Sequence, residues 1–184
     1  MINIKQLENA RIISKIYHKW QKYSNQDYFQ VHIMDVLDRA SKKAHQLRLD
    51  RDTIIKIQIC ALLHDVLEDT DIDFGYMIDK VWEENARNAY ILSIKELDGT
   101  KKPKEKYFWE IGQNIVTKVI KFGDRKSNMI ATHENLHNNR ITSDKAHKFL
   151  KKYTDDMIYW DQFDIFPWHM NAIINKTRAK LLAA

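Results

Sequence analysis

The stretch Ala61-Leu62-Leu63-His64-Asp65-Val66-Leu67-Glu68-Asp69-Thr70 continues the apolar run Ile57-Gln58-Ile59-Cys60 and then turns acidic. On a helix with about 100° between residues, Ile55, Ile59, Leu62, Leu63 and Val66 share an arc about 100° wide, the expected core-facing stripe. His64, Asp65, Glu68 and Asp69 fall on a separate arc roughly 140° wide. His64 and Glu68 are spaced i,i+4, as are Asp65 and Asp69, so two side-chain pairs stack one turn apart. Three carboxylates that close repel one another, and at a helix C-terminus the dipole opposes them as well. A bound cation would remove that cost; the alternative is a solvent-exposed acidic helix end.

Working outward, Leu7, Ile12, Ile13, Ile16 and Trp20 recur at helical spacing and predict a first helix over 5–22, followed by a polar loop over 23–27. Val36, Leu37, Ala40, Ala44 and Leu47 predict a second, from Tyr28 to about Arg48, with His32 near its start. Asp50 or Thr53 could cap a third, from about Asp52 to Leu67. The next starts near Phe74, and Asp98 to Lys104 reads as a loop. Tyr107 to Asn138 looks helical, with Gly112 and Gly123 as weak points; Asp144 to Trp160 and a short segment after Pro167 complete the count.

Composition bounds the class. The chain has 184 residues, 44% of them hydrophobic, which suffices for one sizeable core. Four glycines and two prolines are too few for a turn-rich β fold, so an all-α, single domain over 1–184 is expected. Cys60 is the one cysteine, which excludes an internal disulfide or a multi-thiolate zinc site, and its apolar setting suggests a buried structural thiol. With no signal-like opening and no apolar run near the roughly 20 residues that span a bilayer, a cytoplasmic protein with no membrane contact is expected. The net charge of +5 is interleaved with acids, which reads as a solvated surface rather than a nucleic-acid face, though it would favour a polyanionic small substrate.

A metal needs more ligands than one helix presents. In Val119-Ile120-Lys121-Phe122-Gly123-Asp124-Arg125-Lys126-Ser127-Asn128-Met129, Asp124 and Asn128 share a face, and Gly123 leaves room for close approach. The pattern of His32, His64-Asp65 and Asp124 resembles the HD superfamily. More narrowly, Leu62 to Thr70 and Val119 to Met129 are similar to the two central motifs of the RelA/SpoT-type (p)ppGpp hydrolase domain, a likeness running from about Tyr23 to about Trp160, in the layout of a stand-alone small alarmone hydrolase.

That resemblance implies an HD-type helical bundle around one metal site. The metal would be Mn²⁺, held by His32, His64, Asp65 and Asp124, a mixed N/O set that also suits other first-row cations. Glu68 and Asp69 match the acidic pair that positions or deprotonates the attacking water, and Asn128 matches a nucleotide-contacting asparagine. Two departures stand out. The proline that usually follows the first histidine is missing, and Tyr23 stands where an arginine usually packs on guanine, nine positions before His32. Lys22, Tyr23 and Ser24 are candidate substrate contacts there, and Lys101, in the basic loop with Lys102, Lys104 and Lys106, is another. Tyr153 could close a nucleotide pocket, while the remaining histidines read as structural or surface residues. The implied reaction is hydrolysis of the 3′-pyrophosphate of (p)ppGpp to GDP or GTP and pyrophosphate. Alternatives are an HD phosphohydrolase acting on a nucleoside mono- or triphosphate or NADPH, and a nucleotide-binding module without turnover. The expected partner is a small nucleotide, and a homo-oligomer is compatible with the sequence.

Overall fold

A computed structural model describes residues 4–23, 25–166, 168 and 170–183. Helices dominate the described residues: α1 (Ile4–Tyr17), a hairpin of β1 (Lys22–Tyr23) and β2 (Gln26–Asp27), a π-helical turn (Phe29–Ile33), α2 (Met34–Gln46), α3 (Arg51–Leu63), α4 (Val66–Asp69), α5 (Phe74–Val81), α6 (Glu83–Leu92), α7 (Lys104–Gly112), α8 (Ile115–His137), α9 (Ser143–Gln162) and α10 (Asn171–Leu182). The hairpin is antiparallel, with Lys22 opposite Asp27 and Tyr23 opposite Gln26.

Helix α3 is the central element. Asp50 caps it, its side chain accepting from the Thr53 amide. One side, Ile57, Cys60 and Ala61, packs with residues of α2, α7, α8 and α9, while Ile59, Leu62 and Leu63 pack with α1, α5 and α6. The single apolar stripe read from the sequence is therefore too narrow a description: α3 joins two apolar clusters and is buried nearly all round, as a central helix should be. Cys60 lies fully buried within it, as its apolar setting implied.

Several boundaries differ from the sequence reading. Helix α1 ends at Tyr17, and it buries Gln6, Ala10, Ile13 and Ser14, leaving Ile12, Ile16 and Trp20 exposed. Of the residues that marked this helix, Ile13 is buried and Leu7 packs against the same cluster, while the other three face solvent. The helix expected to reach Leu67 stops at Leu63, and α4 restarts at Val66. The segment after Phe74 divides into α5 and α6 at Trp82, whose φ of 68° breaks the helix without a glycine.

Tyr107 to Asn138 also divides. Helix α7 ends at Gly112, where a Cβ would sit 2.8 Å from the Phe163 Cβ, and Asn114 caps α8 by accepting from the Thr117 amide. Gly123 has the opposite role, staying inside α8. A Cβ there would lie 3.2 Å from the Val36 carbonyl oxygen and 3.3 Å from the Ala40 nitrogen, so glycine lets α8 close on α2. Pro167, expected to precede the last helix, lies outside the described residues, and α10 begins at Asn171. Among the described residues, no helix is long and apolar enough to cross a membrane.

Candidate metal centre

The break between α3 and α4 builds the first half of the site. His64 follows the last residue of α3 and places Nδ1 2.8 Å from the Ala61 carbonyl oxygen. A carbonyl can only accept, so Nδ1 carries the hydrogen and Nε2 is left to face the site. Nε2 is buried and lies 3.0 Å from the Asp65 Oδ2. Asp65 occupies the sparsely populated region at φ −105°, ψ −6°, which interrupts the helix and turns its carboxylate toward both imidazoles.

The π-helical turn supplies His32, buried at 2% exposure, with Nε2 3.3 Å from the Asp65 Oδ2 and 3.8 Å from the Asp124 Oδ1. π turns widen a helix locally and often occur at functional positions. Asp124 comes from α8, brought close to α2 by its glycine neighbour. One donor atom each from His32, His64 and Asp124 lies within 4.8 Å of the others. A single first-row cation with bonds of about 2.0–2.3 Å fits such a spacing. The four ligand positions read from the sequence are thus brought together from three separate parts of the chain.

Charge explains why this set suits a cation. Burial alone would lower the His64 pKa, but the Asp65 carboxylate, and behind it Asp124, outweigh burial and push it up to about 9. The same negative field that favours a proton on this imidazole favours a cation, which must displace that proton to bind. Burial opposes ionisation of Asp65 and Asp124 too. Nevertheless His64 and His32 hold Asp65 well below the ordinary carboxylate range, and Lys121 and Arg125 do the same for Asp124. Both carboxylates are therefore charged and ready to act as ligands.

Further ties fix these carboxylates. Tyr28 donates its hydroxyl to the Asp65 Oδ2 at 2.5 Å. Lys121 holds the Asp124 Oδ2 at 3.0 Å, and Asn128 donates Nδ2 to the Asp124 Oδ1 at 2.5 Å. The Asn128 Oδ1 in turn accepts from the Tyr23 hydroxyl at 3.0 Å, while the Tyr23 ring stacks on His32 with planes 7° apart.

A cavity of about 180 Å³ opens from this cluster. Glu68 and Asp69 of α4 form one wall. Glu68 is pinned, its Oε2 accepting from the Ile94 amide at 3.0 Å. Asp69 is more exposed; partial burial, then the charges of Asp65 and Glu68, push its pKa up to about 6. The other wall carries Lys121 and Arg125 of α8 and Lys152 of α9. Lys121 and Arg125 are buried, whereas Lys152 is exposed at the rim. The Arg125 charge, burial and Lys121 all lower the Lys152 pKa, so an anion entering here would relieve mutual repulsion.

Sequence reasoning missed this basic wall. Lys121 and Arg125 stood inside the quoted motif beside Asp124, which was a usable signal, but Lys152 lies in a plain surface-like lysine pair. Of the substrate contacts expected from sequence, Asn128 and Tyr23 reach the cluster. Lys22 is exposed on the hairpin, and Ser24 lies outside the described residues. Lys101 is exposed and does not line the cavity. Its neighbours are tied into ion pairs, Lys102 with Glu110, Lys104 with Asp156 and Lys106 with Glu96. Tyr153 is buried, its hydroxyl 3.4 Å from the Thr132 Oγ1. His18 is buried against Tyr28 and paired with Gln21, in keeping with a structural role; His169 lies outside the described residues.

No protein-family model and no curated protein sequence matches the chain. Among solved structures, one described as a metazoan ortholog of SpoT that hydrolyzes ppGpp and plays a role in starvation responses superposes with a TM-score of 0.60. The two share 16% sequence identity over 96% of this chain and 85% of that one. This chain shares the all-α fold of that structure. At that identity the likeness speaks for architecture, and the case for chemistry rests on the residues of the cluster themselves.

Proposed function

We propose that the protein is a metal-dependent phosphohydrolase that removes the 3′-pyrophosphate of (p)ppGpp, releasing GDP or GTP and pyrophosphate in the cytoplasm. The observation that carries this reading is the convergence of His32, His64, Asp65 and Asp124 on one point, between an acidic wall and a basic one. The similar fold of a ppGpp-hydrolyzing protein supports it. His32, His64, Asp65 and Asp124 would hold Mn²⁺ or another divalent first-row cation, which when bound acts as a Lewis acid and makes water more acidic.

The chain's own residues then divide the work. Asp69, with a pKa near 6, accepts the proton of the attacking water, and Glu68, fixed by the Ile94 amide, orients that water. Water oxygen bonds to the phosphorus attached to the ribose 3′ oxygen, the bond between them breaks, and the ribose oxygen takes up a proton. Lys121, Arg125 and Lys152 face the charge that builds on the phosphoryl oxygens. Asn128 lines the cavity and Tyr23 is hydrogen-bonded to it, which keeps both as candidate substrate contacts, with Lys22, Ser24 and Lys101 as outlying candidates from the sequence.

A second reading keeps the chemistry and changes the nucleotide, to a nucleoside mono- or triphosphate or NADPH. Tyr23 favours it, because a ring stacked on His32 stands where a guanine-packing arginine was expected. Incubation with Mn²⁺ and ppGpp, GTP, dATP or NADPH in parallel, with an Asp65→Ala control and anion-exchange analysis of products, decides between them. Asp65-dependent release of GDP and pyrophosphate from ppGpp is expected. If ppGpp stays intact while another nucleotide is consumed, the second reading replaces the first; if none is consumed by a metal-loaded protein, it is a binding module.

A further inference from the structure

Two tyrosines of the hairpin region touch the candidate metal cluster in a pattern that neither the ligand set nor the hydrolytic reading requires. Tyr28, just after β2, donates its hydroxyl to the Asp65 Oδ2 at 2.5 Å, the same oxygen that lies 3.0 Å from the His64 Nε2 and 3.3 Å from the His32 Nε2. Its ring also lies 5.1 Å from that of His32. Tyr23, at the end of β1, reaches Asp124 through one intermediary. Its hydroxyl donates to the Asn128 Oδ1 at 3.0 Å, and the Asn128 Nδ2 donates to the Asp124 Oδ1 at 2.5 Å. The Tyr23 ring stacks on His32 at 5.2 Å with planes 7° apart.

Each contact has a definite chemical consequence. A carboxylate that can swing about its χ2 torsion presents either oxygen or both to a cation; one that accepts a fixed hydroxyl cannot do so freely. The Asn128 amide can face Asp124 in two ways, with NH₂ or with oxygen. A donor on the far side, the Tyr23 hydroxyl, selects the orientation that points NH₂ at the carboxylate, since the opposite one would set oxygen against oxygen. The two rings meanwhile flank His32, whose Nδ1 is buried without a hydrogen-bond partner, so ring packing stands in for the polar contact that usually orients a ligating imidazole.

We propose that Tyr28 and Tyr23 are positioning residues for the divalent cation, Tyr28 acting directly on Asp65 and Tyr23 acting on Asp124 through Asn128. In this arrangement Asn128 is first a buttress of the site, with both ends of its amide engaged, and Tyr23 of the hairpin and Tyr28 just after it set metal affinity. The inference rests on the cluster holding a metal, which the proposed function shares, but it does not depend on which nucleotide is hydrolysed.

The test is Mn²⁺ affinity by calorimetric titration of the full chain and its Tyr28→Phe, Tyr23→Phe, Asn128→Ala and Tyr23→Phe/Asn128→Ala variants, at one pH. Phenylalanine keeps each ring, so the metal-free folds should melt close to wild type. Loss of an outer partner of a metal ligand typically weakens binding about 10–100-fold, the expected result for Tyr28→Phe and Asn128→Ala, with a smaller loss for Tyr23→Phe. Because Tyr23 acts through Asn128, adding Tyr23→Phe to Asn128→Ala should change affinity no further. With the nucleotide that is hydrolysed, saturating Mn²⁺ should restore the turnover of Tyr28→Phe, separating metal binding from chemistry.

Affinities of Tyr28→Phe and Tyr23→Phe within twofold of wild type would overturn the proposal, even in an active enzyme. An undiminished Tyr23→Phe effect in the Asn128→Ala background would overturn the relay. Mn²⁺ binding that depends on the tyrosines in a protein inert toward nucleotides would support the proposal while removing the hydrolytic reading. A wild-type chain that takes up no Mn²⁺ would overturn both.

Discussion

At the scale of single residues, Asp69 is the most informative side chain, because its environment and its proposed task point to the same property. Its pKa of about 6 lies above the ordinary carboxylate value through partial burial and the charges of Asp65 and Glu68. Folding therefore favours its protonated form. In the metal-free protein the cost of ionising it is absent below about pH 4, grows between about pH 4 and 6, and is complete above. Asp69→Asn should accordingly stabilise the metal-free fold at pH 7, by about 1 kcal/mol once solvent screening of a half-exposed group is allowed for. Thermal melts at pH 4 and pH 7 would show it, the gap between variant and wild type opening only at the higher pH. Activity should move the other way, falling 10²-fold or more if Asp69 takes the proton of the attacking water. A bound cation lowers a neighbouring carboxylate's pKa, so the acid limb of the wild-type rate profile should lie below 6. An Asp69→Asn enzyme with an unchanged acid limb would remove Asp69 from the role of base. Residue types and spacing made this legible: the acids crowding the end of an apolar helix stood out in the sequence. What could not be read was the basic wall's third member, since Lys152 differs from its neighbour Lys151 only by where α9 packs.

At the scale of elements, the site exists because α2, α3 and α8 approach one another closely, and Gly123 sets one of those approaches. Replacing it with alanine gains about 1 kcal/mol of helix propensity, yet puts a methyl 3.2 Å from the Val36 carbonyl oxygen and 3.3 Å from the Ala40 nitrogen. Both are backbone atoms and cannot rotate away, so overpacking of about 1–3 kcal/mol should win. Gly123→Ala should thus lower the melting temperature and, because His32 leads into α2 while Asp124 follows Gly123, weaken Mn²⁺ binding as well. A stabilised variant with normal metal affinity would contradict this account of the interface. The sequence placed Gly123 as the residue that leaves room near Asp124, and the structure assigns the room to α2. Helix breaks were harder to foresee. The interruption at His64 and Asp65 uses backbone angles open to any residue, and Trp82 turns the chain at positive φ, so neither carries the glycine or proline that normally marks a break. The π-helical turn at Phe29–Ile33 was equally silent, although it decides where Tyr28 and His32 point.

At the scale of the whole molecule, a cation on this cluster would act as a cross-link as well as a reagent. His32 precedes α2, His64 and Asp65 follow α3, and Asp124 lies in α8, so one ion would tie together distant parts of the chain. Two apolar clusters share α3, and the metal cluster stands at the end of that helix, so tightening it opposes separation of both. The unfolded chain cannot gather those ligands and binds the ion weakly, so metal binding adds to folding stability by RT ln(1 + [L]/Kd), about 2.7 kcal/mol at a hundredfold excess over Kd. For a chain of this size each kcal/mol moves the melting temperature roughly 2–4 °C. Adding Mn²⁺ to chelator-treated protein should therefore raise the melting temperature by about 5–10 °C. The rise should grow with the logarithm of metal concentration and vanish in His64→Ala, because that substitution removes a donor nitrogen while the other ligands stay in place. Such a gain, present without any nucleotide, would mean that the acidic end of α3 is a structural staple whose strain is relieved by the same ion the proposed chemistry needs. Identical melting curves with and without metal would mean that Lys121 and Arg125 already neutralise Asp124 sufficiently, and that the cluster is a buried ion-pair network.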